Sequence, residues 1–280
     1  MSRVQQQMMA SGVSLGQIQQ QLDTVANNMA NVGTNGYKSR DAKFVDLLFQ
    51  QIDNLNPADQ DQTDTANRLT PNGIRSGSGV KVGDTSLDLS AGAIKETGNP
   101  LDLALTDAHQ FFTVDGGGAT AYTRDGAFNT QPDPGNANQL RLLTKSGAAV
   151  LDAGGRPMTI PAHYRDIRIN QAGQINVTLN NGTTVNAGQL GIVTINRPQL
   201  LESSGNNQYA LPNLATLGIG LNQVVQPAAG SVTQGSLENS NVDLTKEMAD
   251  LINLQHNYQL NARSVTIGDQ MAGLVNGLLR

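Results

Sequence analysis

The stretch ANNMANVGTNGYKSR, Ala26 to Arg40, decides how the chain is read. A nearly uncharged helical pattern runs into it and then stops in asparagine and glycine. Upstream, apolar residues recur at Val4, Met8, Leu15, Ile18, Leu22, Val25, Met29 and Val32, with Ser11 filling the remaining seam position. Steps of three and four make this a heptad stripe, the pattern of a coiled-coil helix. Gly33 is suited to the left-handed residue that ends a helix, and Asn35-Gly36 to a tight reversal. Asn27, Asn28 and Asn31 are placed to bond freed carbonyls or neighbouring backbone.

The outer faces of this helix are unusual. Residues 1–35 carry only Arg3 and Asp23 as full charges, and glutamines occupy positions where Glu and Lys would normally face water. A neutral polar face suits a helix that touches protein on several sides. Burying a charge is costly unless it is paired, whereas an amide both gives and accepts hydrogen bonds. The other end of the chain matches. Leu244, Met248, Leu251 and Tyr258 mark one helical face, and Leu260, Ile267, Met271, Leu274 and Leu278 another, offset in register. SNVDLTKEM supplies the start signal, with Asn241 or Ser240 as N-cap, Asp243 in the first turn and Glu247 soon after. Helices with so little apolar surface of their own are expected to stay loose until they find partners.

Between the ends the character changes. Residues 57–90 are rich in Gly, Ser, Asp and Pro and read as extended chain. From 91 to 230 the segments are short and alternating, with turn signals between them. Ile175, Val177 and Leu179 alternate up to Asn181-Gly182, a two-residue hairpin signal. The expected fold is therefore mixed α and β. N- and C-terminal amphipathic helices, 1–56 and 231–280, pair as a coiled-coil-like domain, 57–90 is a linker, and 91–230 is an inserted all-β domain of Greek-key or barrel type.

Composition narrows the function. The 280 residues carry a formal net charge of −5, which argues against nucleic-acid binding by charge. Charged residues make up 15%, while 28 Asn and 25 Gln fill the gap. Without cysteine there are no disulfides, thiolate nucleophiles or cysteine metal sites. The first thirty residues lack a basic region followed by an apolar one, so no cleavable secretory signal is expected. No run is long enough for direct membrane insertion.

Candidate catalytic and metal motifs fail on context. GVSLG (Gly12–Gly16) fits a nucleophile-elbow pattern but lies inside the heptad helix. His109, His163 and His256 lack metal spacing to one another, and DQDQTD (Asp59–Asp64) lacks the glycine and distal glutamate of a calcium loop. DGGG and DAGG do not lead a strand into a helix as a phosphate loop must. The reading is a non-enzymatic protein with no cofactor, metal or catalytic residue. Interfacial membrane helices would carry Lys and Arg opposite bulky aromatics, which these do not. An extracellular β-domain binding protein with oligomerising helical tails is the alternative. It would need exposed aromatics, whereas Phe111, Phe112, Tyr122 and Phe128 sit in strand-like contexts that read as core.

LDTVANNMANVGTNGYKSRDAKFVDLLFQ resembles the N-terminal signature of the bacterial flagellar axial proteins, the rod and hook family. SGSGVKV, GAIKETGNPLDLAL, FFTV and AYTRDGAF resemble the central motifs of distal-rod and related hook–basal-body proteins, in order. GNNQYA and GSLENSNVDLTKEMADLINLQHNYQLNARSVTIGDQM resemble the later motifs and C-terminal helix. Asp107-Ala108-His109-Gln110 stands where the family usually has a glycine-flanked pair, and TQPDPGNANQ is longer than the usual turn. The resemblance implies a structural subunit of the rod or hook–basal body. Such a subunit is exported through the flagellar type III apparatus and lies outside the cytoplasmic membrane. Its partners are copies of itself and other rod and hook proteins, with the terminal helices as an inner tube and the β domain outside. The expected assembly seam is Leu15, Ile18, Leu22, Val25 and Met29 with Leu251, Tyr258, Ile267, Met271 and Leu274. Asn27, Asn28, Asn31, Gly36 and Tyr37 are expected to shape the turn where the helix ends.

Overall fold

The computed structural model describes residues 3–46, 50–52, 74–76, 80–228 and 230–278. Most of the expected linker and the acidic run Asp59–Asp64 lie outside the described residues. The chain divides into two compact units. One comprises 1–26, 42–85 and 248–280, and the other 27–41 and 86–247. The architecture is mixed helix and sheet, with a helix toward each end and a β-rich region between them.

The N-terminal helix runs Arg3–Ala30. Its stop is made by geometry tighter than an α-turn. Asn31 N–H reaches Asn28 O at 3.1 Å, Val32 N–H reaches Met29 O at 3.4 Å, and Thr34 N–H reaches Asn31 O at 3.1 Å. These three-residue steps use carbonyls that the helix would otherwise leave unpaired. The helix ends before Val32, so that residue falls off the heptad stripe. Gly33 is not the left-handed residue expected from the sequence; Gly36 is, at φ 66°. Tyr37 N–H closes the reversal on Thr34 O at 3.3 Å. A side chain at Gly36 would also stand 2.5 Å from the Arg124 carbonyl.

The C-terminal helix spans Leu244–Leu278. Its N-cap is Asp243 rather than Asn241 or Ser240. Asp243 Oδ1 accepts from Thr245 N–H at 2.9 Å and Lys246 N–H at 3.3 Å, and its carbonyl takes the first helical bond from Glu247. Asn241 is occupied elsewhere, as described below.

The largest sheet of the β-rich unit has six antiparallel strands. In spatial order they are Glu202–Gly205, Gln208–Ala210, Thr120–Thr123, Gln110–Asp115, Ile192–Ile195 and Val225–Pro227. Residue alternation along Gln110–Asp115 sends Phe111 and Phe112 into different cores. Phe112 packs with Leu103, Val114, Phe128, Leu142, Val150, Ile175 and Val177. Phe111 packs with Tyr122, Ile195, Leu201, Tyr209 and Val224. Edge-on ring pairs, Phe112 with Phe128 and Phe111 with Tyr209, sit one in each core. The four aromatics read as core are all buried. Smaller sheets complete the unit. Gln174–Leu179 pairs with Thr184–Gln189 across a three-residue loop, not two: Leu179 N–H bonds Thr183 O and Gly182 N–H bonds Leu179 O. This is the bulged three-residue hairpin, with Gly182 in its left-handed position.

Two short pairings bring distant sequence into this unit. Val232–Gln234 pairs with Leu103–Leu105, and Ser236–Glu238 pairs with Ile94–Glu96. They seat the residues just before the C-terminal helix against the body.

Candidate functional site: a buried polar cluster and an exposed apolar face

The asparagine motif works as a set of backbone mimics. Asn28 is 1% exposed. Its Oδ1 accepts from Arg40 N–H at 3.1 Å, and its Nδ2 donates to Arg40 O at 3.0 Å. That pair of bonds holds the returning chain as a neighbouring strand would. The same Nδ2 donates to Glu247 Oε1 at 3.0 Å, linking the last turn of one helix to the first turn of the other. The Tyr37 hydroxyl points back at the motif, 2.8 Å from Asn27 Oδ1 and 3.1 Å from Asn28 Oδ1. Burial pushes the Tyr37 phenol above its ordinary range, so the hydroxyl remains a donor. Asn31 Nδ2 caps Asn27 O at 2.8 Å, and Thr34 Oγ1 donates to Asn31 Oδ1 at 3.2 Å. The structure thus brings Asn27, Asn28, Asn31 and Tyr37 together, with Gly36 as the pivot.

Next to this motif lies an ionic cluster. Glu238, Lys38 and Arg124 are each 2% exposed or less. Glu238 Oε1 accepts from Lys38 Nζ at 2.7 Å and from Gly92 N–H at 2.9 Å, while Oε2 accepts from Arg124 Nε at 2.5 Å. Two cations share one carboxylate, and carbonyl oxygens meet the surplus positive charge. Ser90 O takes Lys38, and Leu105 O, Asp107 O and Gln110 O take Arg124. Burial alone pushes the Glu238 carboxyl up, but Arg124 and Lys38 outweigh it and hold the group below its ordinary value. Main-chain bonds fix the same place: Gly36 N–H donates to Glu238 O at 2.7 Å. Asn241 adds a further tie, accepting from Ser39 N–H at 2.8 Å and donating to Asp88 O at 2.9 Å.

The helical positions of the expected seam fall into two groups. Val25 is buried, and Leu15, Ile18, Leu22 and Met29 are half-buried. On the C-terminal helix Leu251 and Tyr258 are half-buried, while Ile267, Met271 and Leu274 are 49%, 49% and 70% exposed. The least exposed stripe of this helix runs through Glu247, Leu251, Leu254, Tyr258, Val265 and Gly268, in heptad steps. At 100° per residue, Leu260, Ile267, Met271 and Leu274 lie roughly 140° around the helix from it. Gln19 Nε2 reaches Tyr258 Oη at 3.4 Å. Met8 lines a shallow groove with Leu260, Arg263, Ser264, Ile267, Gly268 and Met271.

Sequence reading missed Lys38, Arg124, Glu238 and Leu254, and took Asn241 and Glu247 only as part of the helix start signal. A signal for three of them was present. In a chain only 15% charged, Lys38, Arg124 and Glu238 each sit in a turn or apolar context, in GYK, YTRDG and SLEN. Among the described residues no group of three His, Cys, Asp or Glu converges as a metal site would, and no helix is long and apolar enough to cross a membrane.

The polar interior of the β-rich body thus holds the segment after the N-terminal helix and the segment before the C-terminal helix in one place. Three family models match the chain. They are flagella basal body rod protein over residues 15–38, flagellar hook protein FlgE/F/G D1 domain over 107–177, and flagellar basal body rod FlgEFG protein C-terminal over 233–278. Lys38, Arg124 and Glu238 fall one in each. The chain is 40% identical to the flagellar hook-basal body complex protein FlhP of Bacillus subtilis (strain 168), covering 97% of this chain and 98% of that one. It is 34% identical to the flagellar basal-body rod protein FlgG of Agrobacterium fabrum (strain C58), covering 94% and 95%. It is 32% identical to the FlgG of Bacillus subtilis (strain 168), covering 93% and 94%. The chain belongs to the flagellar basal-body rod and hook protein family, whose members are structural proteins rather than enzymes.

Proposed function

We propose that this chain is a structural subunit of the flagellar rod and hook–basal body, and that it assembles through its terminal helices into a helical shaft for motility. The observation that carries the assembly step is the exposed apolar face of the C-terminal helix. Leu260, Ile267, Met271 and Leu274 leave about half or more of their surface to water. A helix this poor in charge gains by covering that face with protein. The Gln19–Tyr258 bond and the groove shared by Met8 and Met271 support a pairing of the two helices within one subunit. Met8 covers only part of that apolar face, and the surface left to water, 70% of Leu274 and about half of Leu260, Ile267 and Met271, then serves contacts with neighbouring subunits. Contacts that repeat head to tail without closing generate a helical filament. Passage through the flagellar type III apparatus before assembly fits the same reading, as does partnership with other rod and hook proteins.

Isolating basal bodies from cells carrying an epitope on the β-rich region, and locating it by immunogold electron microscopy, tests this reading. Label on the rod or hook base is expected; label spread over the cell surface would contradict it. The alternative of an exposed binding domain draws no support from Phe111, Phe112, Tyr122 and Phe128, which are all buried.

A further inference from the structure

We infer that the Lys38–Glu238–Arg124 cluster is a folding interlock: the β-rich body does not close until the segments following the N-terminal helix and preceding the C-terminal helix are both in place. Three observations carry it. Lys38 and Glu238 are 200 positions apart, and Arg124 and Glu238 are 114 apart, so the cluster needs nearly the whole body of the chain. All three side chains are fully interior, and among the described residues Glu238 is the only carboxylate bonded to either cation in the cluster. Arg124 meanwhile holds the carbonyls of Leu105, Asp107 and Gln110, which lead into the central strand Gln110–Asp115. If that strand formed first, it would enclose an arginine with no counter-charge. Breaking a buried pair in that way is among the most destabilising changes a domain suffers.

The compact unit agrees, since it includes 27–41 and 236–238 along with the central strands. The body is therefore not an insertion that folds by itself between two tails. It is stitched by both of them. Backbone crowding reinforces the dependence: a side chain at Gly92 would stand 2.0 Å from Asn239 O, so the two stretches pack only as a matched pair. For a chain that passes an export channel as an extended polymer, no part of this body would close ahead of the rest. That consequence rests on the flagellar reading; the interlock itself does not.

Pulse-labelled hydrogen exchange during refolding of the full chain tests it. Amides of Phe112, Val114 and Tyr122 are expected to gain protection in the same kinetic phase as Gly36 and Gly92, whose N–H groups bond Glu238. Protection of the strand amides in an earlier phase, with Gly36 and Gly92 still open, would overturn the inference. A second readout is native-state exchange in Glu238→Gln. Opening of the central strands should rise on the order of 10²–10³-fold, and equally across 36–39 and 110–123. A rise confined to 36–39 and 236–238 would overturn the inference. A Glu238→Gln chain that fails to fold is the limit of the expected effect, and the wild-type refolding order then decides. Neither outcome bears on membership of the shaft, which the electron-microscopy experiment reads separately.

Discussion

Asn28 Nδ2 donates to Glu247 Oε1 at 3.0 Å across 219 positions of sequence. One bond thus ties the last turn of the N-terminal helix to the first turn of the C-terminal helix. The same amide also pairs both backbone groups of Arg40 and accepts from Tyr37. Few single side chains serve so many parts of a fold. The turn-forming propensity of asparagine, which first drew the motif out of the sequence, accounts for little of this.

Asn28→Ala should therefore cost about 2–4 kcal/mol, because it strands buried partners rather than merely deleting one bond. Urea denaturation at neutral pH measures it. Combined with Glu247→Ala in a double-mutant cycle, it should show a coupling of about 1–2 kcal/mol. Additive losses would mean the Asn28–Glu247 bond contributes nothing beyond its surroundings.

Gly36→Ala should be severe, at about 3 kcal/mol or more, since it combines φ 66° with a backbone carbonyl 2.5 Å from the new methyl. Gly16→Ala is the contrast. It lies inside the N-terminal helix with nothing within 4 Å, and should stabilise by about 0.5–1 kcal/mol. Thermal unfolding of both variants distinguishes a glycine needed for shape from one that is not.

Two carboxyls, the buried Glu238 and the half-buried Asp125, act oppositely on the pH profile. Glu238 is held below its ordinary 4.5 because Arg124 and Lys38 outweigh burial. As pH falls through that range, the unfolded chain takes up the proton first. The stability from Glu238 is thus full above about 4.5 and is lost as pH drops through the folded value. Asp125 is shifted the other way: burial raises it above 3.8, against the Ala127 N–H bond and Lys145. Its charged form is disfavoured in the fold, so it costs stability at neutral pH. Asp125→Asn keeps an acceptor for Ala127 N–H. It should be more stable than the parent at pH 7, with the gain fading as pH falls through the raised folded value and gone below 3.8. Urea midpoints across that range measure the difference.

How much was legible in the sequence depends on the kind of residue. The heptad stripe and its asparagine stop mark the N-terminal helix, because amphipathic period and breakers are local signals. Phe111, Phe112, Tyr122 and Phe128 read as core for the same reason, lying in alternating apolar strands. Gly33 and Gly36 are not separable locally, since what marks Gly36 beyond its left-handed φ is the close approach of the Arg124 backbone, far away in sequence. The N-cap likewise moved to Asp243 because Asn241 is claimed by Ser39 and Asp88. Lys38, Arg124 and Glu238 lay inside recognised motifs, yet nothing local says that they meet. On the C-terminal helix the eye is drawn to large side chains. The less exposed stripe instead passes through Leu254 and Gly268, while Met271 and Leu274 stay exposed.

The most direct test of the account uses Met271→Asp, with Leu22→Asp beside it, in a flagellated host lacking its own copy. Met271 is 49% exposed and its covered half lines the groove with Met8, so the purified Met271→Asp subunit should lose no more than about 1–2 kcal/mol and stay folded. Isolated basal bodies examined by electron microscopy should nevertheless lack the subunit, and cells should not swim. A normal shaft containing Met271→Asp would contradict the claim that this helix face builds the assembly.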